Sequence, residues 1–150
     1  MKNTILADTG FFIALGNRSD SLWDAFRRDH SIAIQIISTL NAPLLTTYPV
    51  ITETSYLLAR DAGLAAQFAF LTEVANGTFL VFDLQKHHIA RMVELMRRYA
   101  DLPMDFADAS LVVLAEHLGH GRILTCDRRD FSIYRWNNTN PFENLLLEQN

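Results

Sequence analysis

The sequence predicts an α/β fold, with a mostly parallel central sheet of about four to five strands flanked by helices in a single domain. Three observations predict it. Short apolar runs of strand length alternate with longer stretches of helical periodicity, the pattern of a parallel sheet covered on both faces. Gly, Pro and N-capping residues fall at the junctions between them. The composition is that of a globular chain: 150 residues, 49% hydrophobic and 20% charged, enough to bury roughly 70% of the unfolded surface.

The elements follow in order. NTILA reads as a first strand, leading at Gly10 into a short helix, FFIALGN. A longer helix is expected from about Ser21 to Thr39, with Ser19, Asp20 and Ser21 as N-caps. APLLTT is a second strand. Pro49 suits the first turn of a helix running to about Arg60, and Gly63 separates it from another, LAAQFAFLTEVA. TFLVFD is a third strand and KHHIARMVELMRRYA an amphipathic helix. After Pro103 comes the helix DFADASLVVLAEHL, which Gly119 and Gly121 end. RILTCD is a fourth strand, and SIYRW a candidate fifth. Residues 1–136 are read as the domain and 137–150 as a tail with one helical turn.

Composition and charge exclude several classes. The N-terminal segment carries one early lysine and is interrupted by Asp8, so neither a signal peptide nor a spanning helix is expected. A cytoplasmic location and no membrane partner follow. The net charge is −4, from 13 basic and 17 acidic residues, which rules out a basic blanket for nucleic acid. Any such contact must be local. The single Cys126 cannot form an intrachain disulfide, argues against a zinc site, and is expected to be a small buried strand residue.

The acids carry the chemistry. Asp8 follows ILA and Asp127 follows ILTC, so both stand where a parallel strand ends, on the edge of the sheet where ligands bind. Asp108 shares the apolar stripe of its helix with Met104, Leu111, Val112 and Ala115, a costly place for a carboxylate. Asp105 lies one turn earlier on the same side, where an acid also complements the helix dipole. Glu53 falls just beyond the buried arc of Val50, Thr54, Leu57 and Leu58. Converging carboxylates repel one another unless a cation sits among them, and hard oxygen donors of this kind fit Mg²⁺ or Mn²⁺. The stretch Asp8-Thr9-Gly10 also spells an aspartic-protease half-site. That reading needs a mostly β chain and a second Asp-Thr-Gly, from another lobe or a dimer mate, whereas this chain is rich in helical pattern and has one copy. A phosphoacceptor receiver domain would need an early acid pair, also missing.

ILADTGFFIAL, VITETSYLL, MDFADASLVVLAE and ILTCDRRDF stand in the order and spacing of the PIN-domain ribonucleases, which the chain resembles over about residues 4 to 135. By that resemblance, Asp8, Glu53, Asp108 and Asp127 are the expected catalytic and metal-binding quartet, and Asp105 an additional acid at the metal. Thr9 and Thr125 resemble the hydroxyl residues beside those acids. The small size resembles the VapC-type toxins of bacterial toxin–antitoxin pairs.

The resemblance implies a metal-dependent endoribonuclease using one or two Mg²⁺ (or Mn²⁺) ions, an RNA substrate and a cognate antitoxin protein. Arg128 and Arg129, beside Asp127, are candidates for holding phosphate. The alternative is a PIN-fold binding module whose role is set by a protein partner. The stripes Phe68, Leu71, Ala75 and Ile89, Val93, Met96 are expected in the core, the other use of such stripes being a homodimer or antitoxin surface.

Overall fold

The computed structural model describes residues 3–16 and 38–146. The helix expected over Ser21–Thr39 lies almost wholly outside them. Strand β1 (Ile5–Ala7) is buried along its length and is followed, after the single residue Asp8, by helix α1 (Thr9–Gly16). Strand β2 (Leu44–Thr47) runs straight into α2 (Tyr48–Asp61). Thr47 caps that helix through its side chain, which accepts from the Val50 N–H, and Pro49 occupies the first turn, where no donor is lost. Helix α3 (Leu64–Ala75), strand β3 (Leu80–Phe82) and helix α4 (Lys86–Arg98) follow. Helix α5 (Phe106–Leu118) ends at Gly119, whose φ of 77° is the left-handed cap that glycine adopts without strain. Strand β4 (Arg122–Leu124), helix α6 (Arg128–Ile133) and the short strands β5 (Arg135–Trp136), β6 (Asn140–Pro141) and β7 (Glu143–Asn144) are the last elements among the described residues.

Five strands form a parallel sheet in the order β3-β2-β1-β4-β7, as the sequence predicts in kind and number. Leu6 is central, paired with Leu45 on one side and Ile123 on the other. The chain leaves β1 in one direction through β2 and β3, then returns to its other side with β4. The point where the order reverses lies between β1 and β4, and a crevice opens there at the carboxyl ends of the strands. Asp8 and the loop Thr125–Asp127 border it. Gly10 lets α1 approach that loop, since a Cβ there would stand 3.3 Å from the Cys126 Cβ.

Several sequence expectations are corrected. SIYRW is not the fifth strand of the sheet: Ser132 and Ile133 end α6, and Arg135–Trp136 pairs antiparallel with Asn140–Pro141 in a separate two-stranded sheet. The fifth strand is β7, paired with β4 through Ile123 and Asn144, where a helical turn was expected. Cys126 is exposed rather than buried, because β4 ends two residues before it. Phe68 and Leu71 face outward, the former 58% exposed, while Ala66, Phe70 and Glu73 turn inward; Phe12, Phe70 and Phe79 form an edge-to-face cluster. On α4 the buried residues are Met92 and Leu95, with Ile89 and Val93 exposed. Among the described residues no helix is long and apolar enough to cross a membrane.

Candidate active site

The acids reach the crevice by three local devices. The first is the strand end. Asp8 immediately follows β1, and its backbone N–H donates to the Leu124 carbonyl, so the main chain here is locked to β4. The Asp8 side chain is buried and accepts two short hydrogen bonds, from the Thr9 N–H to Oδ1 at 2.7 Å and from the Thr125 hydroxyl to Oδ2 at 2.7 Å. Burial outweighs these bonds and raises its pKa from 3.8 to about 6, with the charges of Asp127 and Asp105 pushing the same way.

The second device is the helix N-terminus. Asp105 caps α5 by accepting from the Asp108 N–H at 2.7 Å, and Asp127 caps α6 by accepting from the Asp130 N–H at 3.2 Å. Each cap thus sets an acid one turn ahead of another. The Asp108 carboxylate accepts from the Tyr134 hydroxyl at 3.1 Å. Burial, then Asp105 and Asp8, raise the Asp108 pKa from 3.8 to about 8. Tyr134 is itself buried, packed edge-on against Tyr99 and Phe131, and its own pKa is driven upward by burial and by Asp108. It stays a hydrogen-bond donor.

The third is the face of α2. Glu53 lies half-buried beside the buried residues Val50 and Thr54, and desolvation followed by the charges of Asp105 and Asp8 raises its pKa. The base of α5 is held against β2 by the Thr47 and Ser110 hydroxyls, 2.6 Å apart.

All five acids named from the sequence, Asp8, Glu53, Asp105, Asp108 and Asp127, line one cavity of about 480 Å³. Thr9, Cys126 and a sixth acid, Asp130, line it too. Carboxylate oxygens of Asp108, Asp127 and Asp130 all lie within 4.8 Å of one another. Sequence reasoning missed Asp130, although its place three residues after Asp127, on one helical turn, was the available signal. It also missed Tyr134, which sat in a segment read as strand. Arg128 and Arg129 are exposed in the first turn of α6 and are not among the cavity-lining residues, although Arg129 offsets part of the upward shift at Asp130.

The strand-end acids are braced from behind by β7. The Asn144 side-chain amide spans the end of β4, accepting from the Thr125 N–H at 3.4 Å and donating to the Thr125 carbonyl at 3.0 Å. Thr125 in turn donates its hydroxyl to Asp8 and accepts from the Asp127 N–H at 3.0 Å. One threonine therefore ties two strand-end acids together.

The donor set fits a divalent cation. It is all carboxylate oxygen, the hard chemistry that Mg²⁺ and Mn²⁺ prefer, and burial, with mutual repulsion second, holds two members well above the ordinary carboxylate range. The buried Thr9 hydroxyl, also at the cavity wall, makes no hydrogen bond of ordinary geometry among the described residues and stands close enough to Glu53 to offset part of the upward shift of its carboxylate.

Comparison with known proteins agrees with this architecture. The chain belongs to the PIN domain family, which it matches over residues 5–137. It is 33% identical over 113 residues to ribonuclease VapC26 of Mycobacterium tuberculosis (strain ATCC 25618 / H37Rv), an alignment covering 75% of this chain and 84% of that protein. Its fold is similar to the crystal structure of Mycobacterium tuberculosis VapC20, described as a sarcin–ricin loop cleaving toxin, with a TM-score of 0.66 and 22% identity over 83% of this chain and 91% of that one.

Proposed function

We propose that this chain is an endoribonuclease of the toxin type, working on RNA in the cytoplasm with one or two Mg²⁺ ions, or Mn²⁺, held in the acidic cleft. The observation that carries the reading is the convergence of Asp8, Glu53, Asp105, Asp108 and Asp127 on one cavity at the switch point of a parallel sheet. Membership of the PIN family and the similarity to a ribonuclease named VapC26 support it. A bound divalent ion supplies polarisation of the phosphodiester and a lowered pKa for an attacking water.

The protein's own residues do the rest. Asp8, Asp108 and Asp127, with Asp130, would hold the ion, and Glu53 and Asp105 would complete the ring of charge. The Tyr134 and Thr125 hydroxyls fix the orientation of Asp108 and Asp8 before substrate arrives. The Thr9 hydroxyl is placed to donate to an oxygen of the substrate or of a bound water. Arg128 and Arg129, exposed between Asp127 and Asp130 in the chain, contact the phosphates of the flanking strand.

Two protein partners belong to this reading. A cognate antitoxin would close the negative cleft with an arginine or an apolar anchor, as charge complementarity favours. The outward-facing apolar residues of α3, Leu64, Phe68 and Leu71, and of α4, Ile89 and Val93, offer surface for that protein or for a second copy of this chain. The test is cleavage of a mixed RNA pool by purified protein. Activity should require added Mg²⁺ or Mn²⁺, vanish in EDTA and fall to background in Asp8→Asn. RNA left intact by a folded, metal-loaded parent would leave the PIN fold here as a binding module.

A further inference from the structure

We propose that the apolar groove beside the acidic cleft is a nucleobase subsite, in which Tyr48, Tyr56 and Phe106 receive an unpaired RNA base next to the phosphodiester held in the cleft. The proposal rests on the ribonuclease reading and deepens it, since it names the side chains that hold the nucleotide beside the phosphodiester.

The groove has a volume of about 640 Å³, and Glu53 and Asp105 line both it and the acidic cleft. The two hollows therefore share a wall, so the nucleotide next to a phosphate held in one is within reach of the other. Three aromatic side chains stand in this groove unusually open to water: Tyr48 is 57% exposed, Tyr56 64% and Phe106 44%. Tyr48 and Tyr56 lie on α2 about 12 Å apart along the axis, and Phe106 is the first residue of α5, so the rings border the groove from two elements. Pro49, in the first turn of α2, adds to the apolar lining.

Aromatic faces stack on any base, which gives affinity without demanding a sequence. Among the described residues no lysine or arginine lines the groove itself, and the one cation beside it, Arg60, has its guanidinium 5.9 Å from the centroid of the Tyr56 ring, so the groove contributes stacking more than phosphate neutralisation. A base inside a duplex is already stacked on its neighbours and its faces are not available. Only an unpaired base can lie against these rings. A protein face is the competing occupant, and shared walls with the cleft favour the nucleotide over it.

The experiment measures binding and cleavage separately. Binding of a fluorescent single-stranded hexaribonucleotide is followed by polarisation in an Asp108→Asn background, and KM and kcat for the same RNA are measured in the parent background. Tyr48→Ala and Phe106→Ala should each weaken binding and raise KM by about five- to a hundredfold, the effect of losing one stacked base. In both variants kcat should change by less than about threefold, Phe106→Trp should restore KM, and the corresponding duplex should bind parent and variants equally weakly. All three rings are exposed, so truncation should leave the melting temperature unchanged. Unaltered binding and KM in both alanine variants, with cleavage intact, would overturn the subsite and leave the ribonuclease reading standing. A parent that neither binds nor cuts RNA would overturn both. Conversion of a dimer to a monomer by Phe106→Ala, with single-strand binding per chain unchanged, would assign the groove to a second copy of the chain and overturn the proposal.

Discussion

Replacing Asp108 by Asn should stabilise the metal-free protein, against the usual outcome of changing a half-buried, hydrogen-bonded polar residue. Burial, Asp105 and Asp8 raise the Asp108 pKa from 3.8 to about 8. Because the folded-state value lies above the unfolded one, the native state holds the extra proton between about pH 4 and pH 8, and stability falls as pH rises through that window. Below pH 4 both states are protonated and the penalty disappears. At pH 7 the difference amounts to as much as about 4 kcal/mol. Asn keeps an oxygen to accept from the Tyr134 hydroxyl and carries no charge. Allowing about 1 kcal/mol for a less well matched hydrogen bond leaves a net gain of about 1–3 kcal/mol. For a domain of this length that is a rise of about 3–10 °C in melting temperature. Thermal melts in EDTA at pH 5, 7 and 8.5 provide the assay. The parent should lose stability steadily with pH, and Asp108→Asn should show a flatter dependence and the higher melting temperature at pH 7 and above. A mutant that melts several degrees below the parent at pH 7 would instead make Asp108 a satisfied structural acid.

Millimolar Mg²⁺ should raise the parent's melting temperature, because a ligand that binds only the native state adds RT ln(1 + [L]/Kd), and should raise that of Asp108→Asn less; equal shifts in differential scanning fluorimetry would place the ion elsewhere. Asn144→Ala removes the amide that spans the end of β4 and should cost about 1–3 kcal/mol in denaturant titration while weakening Mg²⁺ binding through Thr125 and Asp8. Gly121→Ala would put a Cβ 2.6 Å from the Trp136 Nε1 and 3.3 Å from the Phe142 Cα, so it should destabilise by about 1–3 kcal/mol and blue-shift or quench the Trp136 emission.

The parallel sheet was legible because each of its first four strands is a compact apolar run set between helical stretches, and because strand ends in such sheets face one edge. That edge rule alone brings Asp8 and Asp127 together. Asp105 and Asp108 could be joined to them only through helical spacing and family resemblance, as the hydrogen bond that ties α5 to β2 joins Thr47 and Ser110, residues with no signal of their own. Elsewhere local pattern ran out. Strand β7 is two residues long, too short for any period, and is recruited by pairing with β4. Helix α6 is six residues long, and the cap at Asp127 defines its start. Helix α3 is apolar on most of its circumference, so the period could not choose between Phe68 and Phe70 as the inward residue. Helix α5 is buried nearly all round, which makes Asp108 one of very few polar positions on it rather than a member of a single stripe.

The claim that the acidic cleft is a metal centre for RNA cleavage is tested most directly by titrating Mn²⁺ into the metal-free protein with labelled RNA present, counting bound ion by electron paramagnetic resonance and cut RNA in the same samples. Bound Mn²⁺ and cleavage should rise and saturate together in the parent, and both should be lost in Asp108→Asn and Asp127→Asn. Cleavage that proceeds in EDTA with no bound ion, or ion binding that both mutants retain in full, would contradict the account.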